Sequence, residues 1–175
     1  MFATIYLPNF YLQAAMRHQP TLFAQPVALI DAAQSKVAII QLNDAAEKAG
    51  VYEGMSPSQA LARCLRVVIK TRERMQENVI DEILLQHAFT LSPFVEATAP
   101  GICTIQFTDN RDLTAKLSRA IEQLAECEIT AQAGIAHLPD TSFLAAHLAR
   151  PVLQMDDAKE FLAPLPIETL TIGIS

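Results

Sequence analysis

The chain of 175 residues is 51% hydrophobic with a net charge of −6, which suits one globular domain or two small ones, each with a buried core. No run approaches the roughly 20 apolar residues of a membrane helix, and Met1-Phe2-Ala3-Thr4-Ile5 lacks the basic start of a signal peptide, so a cytoplasmic location with no membrane partner is expected. The charge is uneven, because residues 10–77 hold eight Lys and Arg against six Asp and Glu, whereas residues 78–175 hold five against thirteen.

In chain order, Phe2 to Leu7 is an apolar run of strand formers closed by Pro8 and predicts a buried strand. Phe10, Ala14 and Arg17 fall at helical spacing in a segment stopped at Gln19-Pro20. Pro26 to Ile30 and Lys36 to Ile40, separated by a polar link, predict a hairpin. Asn43 caps a short helix that Gly50 ends, and Ser56 with Pro57 opens another that runs to about Cys64. A strand is expected over Arg66 to Lys70. From Glu77 to Leu91, Val79, Ile80, Ile83, Leu84, Ala88 and Leu91 make the stripe of a long amphipathic helix that Ser92-Pro93 ends.

Phe94 to Thr98 and Ile102 to Phe107, joined by Ala99-Pro100-Gly101, predict a second hairpin. Asp112 starts a helix striped by Leu113, Leu117, Ile121 and Leu124, followed by a strand from Ile129 to Ile135 and a helix from about Thr141 to Ala149. A short Val152 to Gln154 piece, a helix capped by Asp156 and reaching Leu162, and a tail from Pro164 complete the chain. Strand, helix, two strands, helix and strand is the order of a ferredoxin-like α/β (α+β) domain, here with residues from about 10 to 76 inserted after the first strand.

Cys64, Cys103 and Cys127 form no CxxC pair and read as buried, reduced thiols. His18, His87, His137 and His147 show no metal-binding spacing and read as isolated. Asp81-Glu82, Asp109 with Asp112, and Asp156-Asp157 are carboxylate pairs on paper, but helix capping accounts better for Asp112 and Asp156. No phosphate-loop motif follows Gly50 or Gly54. Arg63, Arg66, Lys70, Arg72 and Arg74, opposed only by Glu73, make a basic patch, equally readable as a solvated face or a DNA contact.

Several strings in this order resemble the Y-family translesion DNA polymerases (the ImpB/MucB/SamB type), specifically their ImuB-like branch. They are Phe10-Tyr11, Gln25-Pro26-Val27-Ala28, Ala49-Gly50-Val51-Tyr52-Glu53-Gly54-Met55 with Ala60, Leu91-Ser92-Pro93-Phe94-Val95-Glu96, Gly134-Ile135-Ala136 and Leu148-Ala149-Arg150-Pro151. The resemblance covers essentially the whole chain. It implies a palm from residues 1–9 and 77–164, a fingers insertion over 10–76, and the start of a linker to a thumb at 165–175.

Active members of that family end the first strand in an aspartate and carry an Asp-Glu pair on the palm hairpin, which hold two Mg²⁺ ions. The resemblance places Tyr6, followed by Leu7, at the first position and Gly101 and Ile102 at the second. The Tyr and Arg that clamp the triphosphate align with Asp44 and Glu47, and the lysine of the last palm helix with Phe143. Tyr11 matches the sugar-gate position, with packing as its expected role.

The implied function is therefore a pseudo-polymerase without metal or cofactor, acting as an adaptor in damage-induced (SOS) mutagenesis and DNA repair. Its implied partners are DNA, held weakly, a processivity clamp and an error-prone replicative polymerase. Two other readings stay open: a working polymerase with unconventional ligands, which needs Mg²⁺, and a protein-interaction module with no DNA role.

Overall fold

A computed structural model describes residues 1–157 together with 159, 161 and 163. The chain divides into two compact units, one made of Met1–Pro8 with the chain from Asp81 onward, the other of Asn9–Ile80. The helix expected from Asp156 to Leu162 and the tail from Pro164, with residues 165–175, lie largely outside the described residues. Among the described residues no helix is long and apolar enough to cross a membrane.

The first unit is built on strands β1 (Phe2–Tyr6), β5 (Val95–Ala99), β6 (Ile102–Gln106), β7 (Gln132–Ala136) and β8 (Val152–Gln154). They lie in the order β5-β6-β1-β7-β8, antiparallel throughout except for β8, which runs parallel to β7. The first four strands reproduce the ferredoxin-like order, and β8 extends the sheet by one strand. Alternation decides the faces, because successive residues of a strand point to opposite sides. Ala3 and Ile5 register with Ile105 and Cys103 on one side and with Ile135 and Ala133 on the other, and all six are fully buried.

Helix α4 (Arg74–Leu91) contributes buried Leu84 and Ala88 to this unit. Helix α5 (Leu113–Glu126) packs on β7 and β8 and buries Leu117, Ile121 and Leu124 at i, i+4, i+7 spacing. Asp112 precedes α5 as expected but sits in the left-handed region at φ 56° and makes no side-chain cap, so the capping role assigned from sequence is corrected. Its neighbour Asp109 instead pairs with Arg111 at 3.0 Å on the surface.

Helix α6 (Pro139–Leu148) covers the opposite face of β7 and β1. Gly134 permits this approach: a Cβ there would collide with the backbone of Ser142, Ala145 and Ala146. Gly134 registers with Thr4, whose hydroxyl bonds Ser142 Oγ at 2.8 Å. Ser142 in turn donates to the Pro139 carbonyl at 2.7 Å, which satisfies both buried hydroxyls.

The second unit holds α1 (Phe10–Met16), a 3-10 turn at Pro20–Leu22, strands β2 (Val27–Ile30), β3 (Ile39–Leu42) and β4 (Val68–Thr71), and helices α2 (Asp44–Lys48) and α3 (Pro57–Arg63). The sheet order is β3-β2-β4. Ser56 and Gln59 form a complete capping box at α3, and Asn43 caps α2 by accepting from Ala46 N–H at 3.0 Å. Several expected boundaries shift. In the first unit β7 begins at Gln132, not Ile129, because the Ile129 N–H closes the end of α5 on the Leu124 carbonyl at 2.9 Å, and here β4 begins at Val68, not Arg66, because the Val67 N–H turns back to the Cys64 carbonyl at 3.1 Å. The second hairpin strand begins at Ile39, not Lys36, because Ile39 is the residue that exchanges backbone bonds with Met55 and Gly54. Helix α4 begins at Arg74, not Glu77, because the Glu73 carbonyl accepts from the N–H groups of Gln76 and Glu77 at 2.9 and 3.0 Å and so opens the helix.

Candidate functional site

Strands β1 and β6 bring the four aligned ligand positions together despite 95 residues of separation between Tyr6 and Gly101. Tyr6 faces Ile102 in register, and Leu7 N–H donates to the Gly101 carbonyl at 2.9 Å. Gly101 N–H donates to Asp81 Oδ1 of α4 at 2.8 Å, so the peptide at the turn is held on both sides. That turn needs glycine, because Gly101 sits at φ 72°. Asp81, read from sequence only as half of a carboxylate pair, is thereby the clamp of the β5–β6 turn.

His147, taken from sequence as isolated, is the residue that reading missed. Its ring stacks on Tyr6 with centroids 4.0 Å apart and planes 22° from parallel, and Phe143 lies 4.5 Å beyond it. The carbonyl of Phe143 can only accept, so His147 Nδ1 donates to it at 2.9 Å. Burial lowers the His147 pKa and raises that of Tyr6, so both groups are neutral near pH 7. The i, i+4 spacing of Phe143 and His147 was visible as a shared helix face, but nothing in the sequence placed Tyr6 beneath it.

A hard divalent cation needs several carboxylate or carbonyl oxygens converging on one point. The side chains here are a neutral phenol, a leucine, an isoleucine and no side chain at all, and the nearby Asp81 carboxylate accepts from Gly101. Among the described residues no group of three or more His, Cys, Asp or Glu is placed to hold a metal ion. A pair of Mg²⁺ ions does not fit these residues. Cys103, on the buried face of β6, has its thiol pushed up to about 12 by burial and is an inert core group. Cys64 and Cys127 are only partly buried, which corrects the expectation of three buried thiols.

In the second unit, Asp44 and Glu47 lie exposed in the first turn of α2. Tyr11 of α1 is overlaid by the Arg72 guanidinium, 3.8 Å from its ring centroid, and meets Phe10 edge-on at 5.2 Å. Arg72 also forks Glu77, with Nε at 2.8 Å and Nη2 at 2.6 Å from the two carboxylate oxygens, and reaches Asp31 at 3.4 Å. The basic patch is accordingly not one surface. Arg72 is the centre of a semi-buried ion-pair network, and Lys70 bonds Gln19 at 3.2 Å. Arg74 reaches Asp31 at 3.6 Å but is mostly exposed, and Arg63 and Arg66 are exposed.

A mainly antiparallel ferredoxin-like sheet with a helical-and-stranded insertion after its first strand defines a mixed α/β palm-and-fingers architecture. The profile of the impB/mucB/samB family matches residues 5–148, and the chain belongs to that family. It is similar to DNA polymerase IV of Actinobacillus pleuropneumoniae serotype 5b (strain L20), 24% identical over 170 residues, and of Ralstonia nicotianae, 25% identical over 172 residues. Each match covers 92% of this chain and 48% of the relative, so the chain spans about half the length of these relatives.

Among solved structures, the insertion ternary complex of Dbh DNA polymerase matches with a TM-score of 0.85 at 16% identity, over 99% of this chain and 54% of that one. DinB from Sulfolobus solfataricus matches with a TM-score of 0.76 at 16% identity, over 98% of this chain and 53% of that one.

Proposed function

We propose that the chain is a non-catalytic, ImuB-like member of the Y-family group and acts as an adaptor in translesion DNA synthesis and DNA repair. One observation carries this reading: the strand pair aligned with the family's metal ligands presents Tyr6 opposite Ile102, and Tyr6 is capped by His147 instead of facing a carboxylate. Two-metal phosphoryl transfer needs ions that neutralise the triphosphate and activate the primer hydroxyl, and the side chains at Tyr6, Leu7, Gly101 and Ile102 supply no charge for either task. Asp44 and Glu47, at the aligned clamp positions, repel phosphate.

With no chemistry to perform, the fold's remaining capacities are surface contacts: to DNA, weakly, and to a processivity clamp and an error-prone polymerase. Primer extension by the pure protein with Mg²⁺ or Mn²⁺ tests the reading. No template-dependent incorporation is expected, nor any from the Ile102→Glu variant, which restores one carboxylate out of three. Incorporation above a no-enzyme control overturns it.

A further inference from the structure

Helix α3 turns a narrow face of small side chains inward, Ala60 with the partly buried Cys64 at its C-cap, and leaves larger apolar side chains outside. Its one buried residue is Ala60, which packs with Val51 and Val67, while Leu61 in its last turn is 41% exposed and Leu65, just past its cap, is 88% exposed. Ala62 between them is exposed as well. A helix end that gives an alanine to the core and two leucines to water leaves removable apolar surface uncovered. Arg63 and Arg66 interleave with those leucines, are exposed, and form no ion pair among the described residues.

From this juxtaposition we infer that the α3 end, Leu61 to Arg66, is a docking surface for an acidic amphipathic segment of a partner protein. Its apolar side chains cover Leu61 and Leu65, and its carboxylates meet Arg63 and Arg66. The charges favour a carboxylate-bearing occupant, and the leucines favour protein over DNA: a phosphate backbone satisfies the arginines but gives the leucines nothing to bury against. This goes beyond the adaptor reading and does not depend on whether the chain incorporates nucleotides.

The test is a methyl-resolved NMR titration of the whole chain with a synthetic helical peptide of Glu, Ala and Leu, its leucines spaced i, i+3, i+4, i+7. Saturable shifts of the Leu61 and Leu65 methyls are expected, with no response to the same peptide carrying Lys for Glu. Leu65→Ser is expected to weaken binding by about tenfold, and Arg63→Glu with Arg66→Glu to abolish it; because these side chains are exposed, circular dichroism and the unfolding midpoint should not move. The inference is overturned if the acidic peptide leaves the methyls unshifted or if the basic peptide shifts them equally. It is equally overturned if a duplex oligonucleotide shifts them instead, or if sedimentation shows self-association that Leu65→Ser removes.

Discussion

Arg72 satisfies three groups at once: the face of Tyr11, the carboxylate of buried Glu77, and Asp31. Removing it leaves the buried Glu77 carboxylate without its cation and Asp31 with Arg74 alone, so Arg72→Ala is expected to destabilise the protein by about 3 kcal/mol in chemical unfolding. Arg72→Lys should recover only part of that, because an ammonium cannot fork a carboxylate and stack on a ring together. An unchanged midpoint would return Arg72 to the surface. For His147 the sign follows from burial: its folded pKa lies below the ordinary value of about 6.5, so below that pH the unfolded chain takes up the proton first and stability falls with falling pH. His147→Phe, which keeps a ring over Tyr6, is expected to shrink the loss in unfolding midpoint between about pH 7 and about pH 5. A loss equal to that of the parent would assign the acid sensitivity elsewhere.

At the level of elements, β7 and α6 meet across a glycine. Gly134→Ala places a methyl inside the backbone of α6, where no side-chain rotation relieves it, and is expected to cost about 3 kcal/mol or more. A midpoint within experimental scatter of the parent would mean that α6 can step away from the sheet. Locally encoded features were legible in the sequence: the Asn43 cap and the Ser56-Pro57 helix start depend only on neighbours a few residues apart, and both form, with Gln59 completing a capping box that the sequence reading did not name. The first turn of α4 was not legible, because Arg74, Met75 and Gln76 show no apolar period and are followed by Glu77, which Arg72 holds. The strand at Ile39 was misplaced for a similar reason, since its start is decided by bonds to Gly54 and Met55. The pairing of Tyr6 with Ile102 came from a resemblance to a family and not from any local pattern, and the His147 ring over Tyr6 had no local signal.

Across the whole sequence, charge divides into an acidic part and a weakly basic one, residues 9–80 holding eight Lys and Arg against six Asp and Glu. Residues 81–175 hold thirteen Asp and Glu against five Lys and Arg, which disfavours a phosphate backbone. DNA affinity of the chain should therefore be weak and purely electrostatic, drawing on the exposed Arg63, Arg66 and Arg74 only where no acidic partner segment occupies them, with a salt slope falling by about 0.9 for each phosphate contact removed. Replacing those three by alanine is expected to reduce that slope in fluorescence anisotropy, and tight binding indifferent to salt would contradict this.

On the non-catalytic reading the β1/β6 site takes up no divalent cation, and paramagnetic Mn²⁺ reads that site directly whether or not any chemistry follows. Titrating Mn²⁺ into the isotope-labelled protein should leave the amides of Leu7, Gly101 and Ile102 no more broadened than exposed amides elsewhere in the first unit. Saturable broadening centred on those three residues, reversed by Mg²⁺, would show a metal site there and restore a metal-dependent polymerase reading.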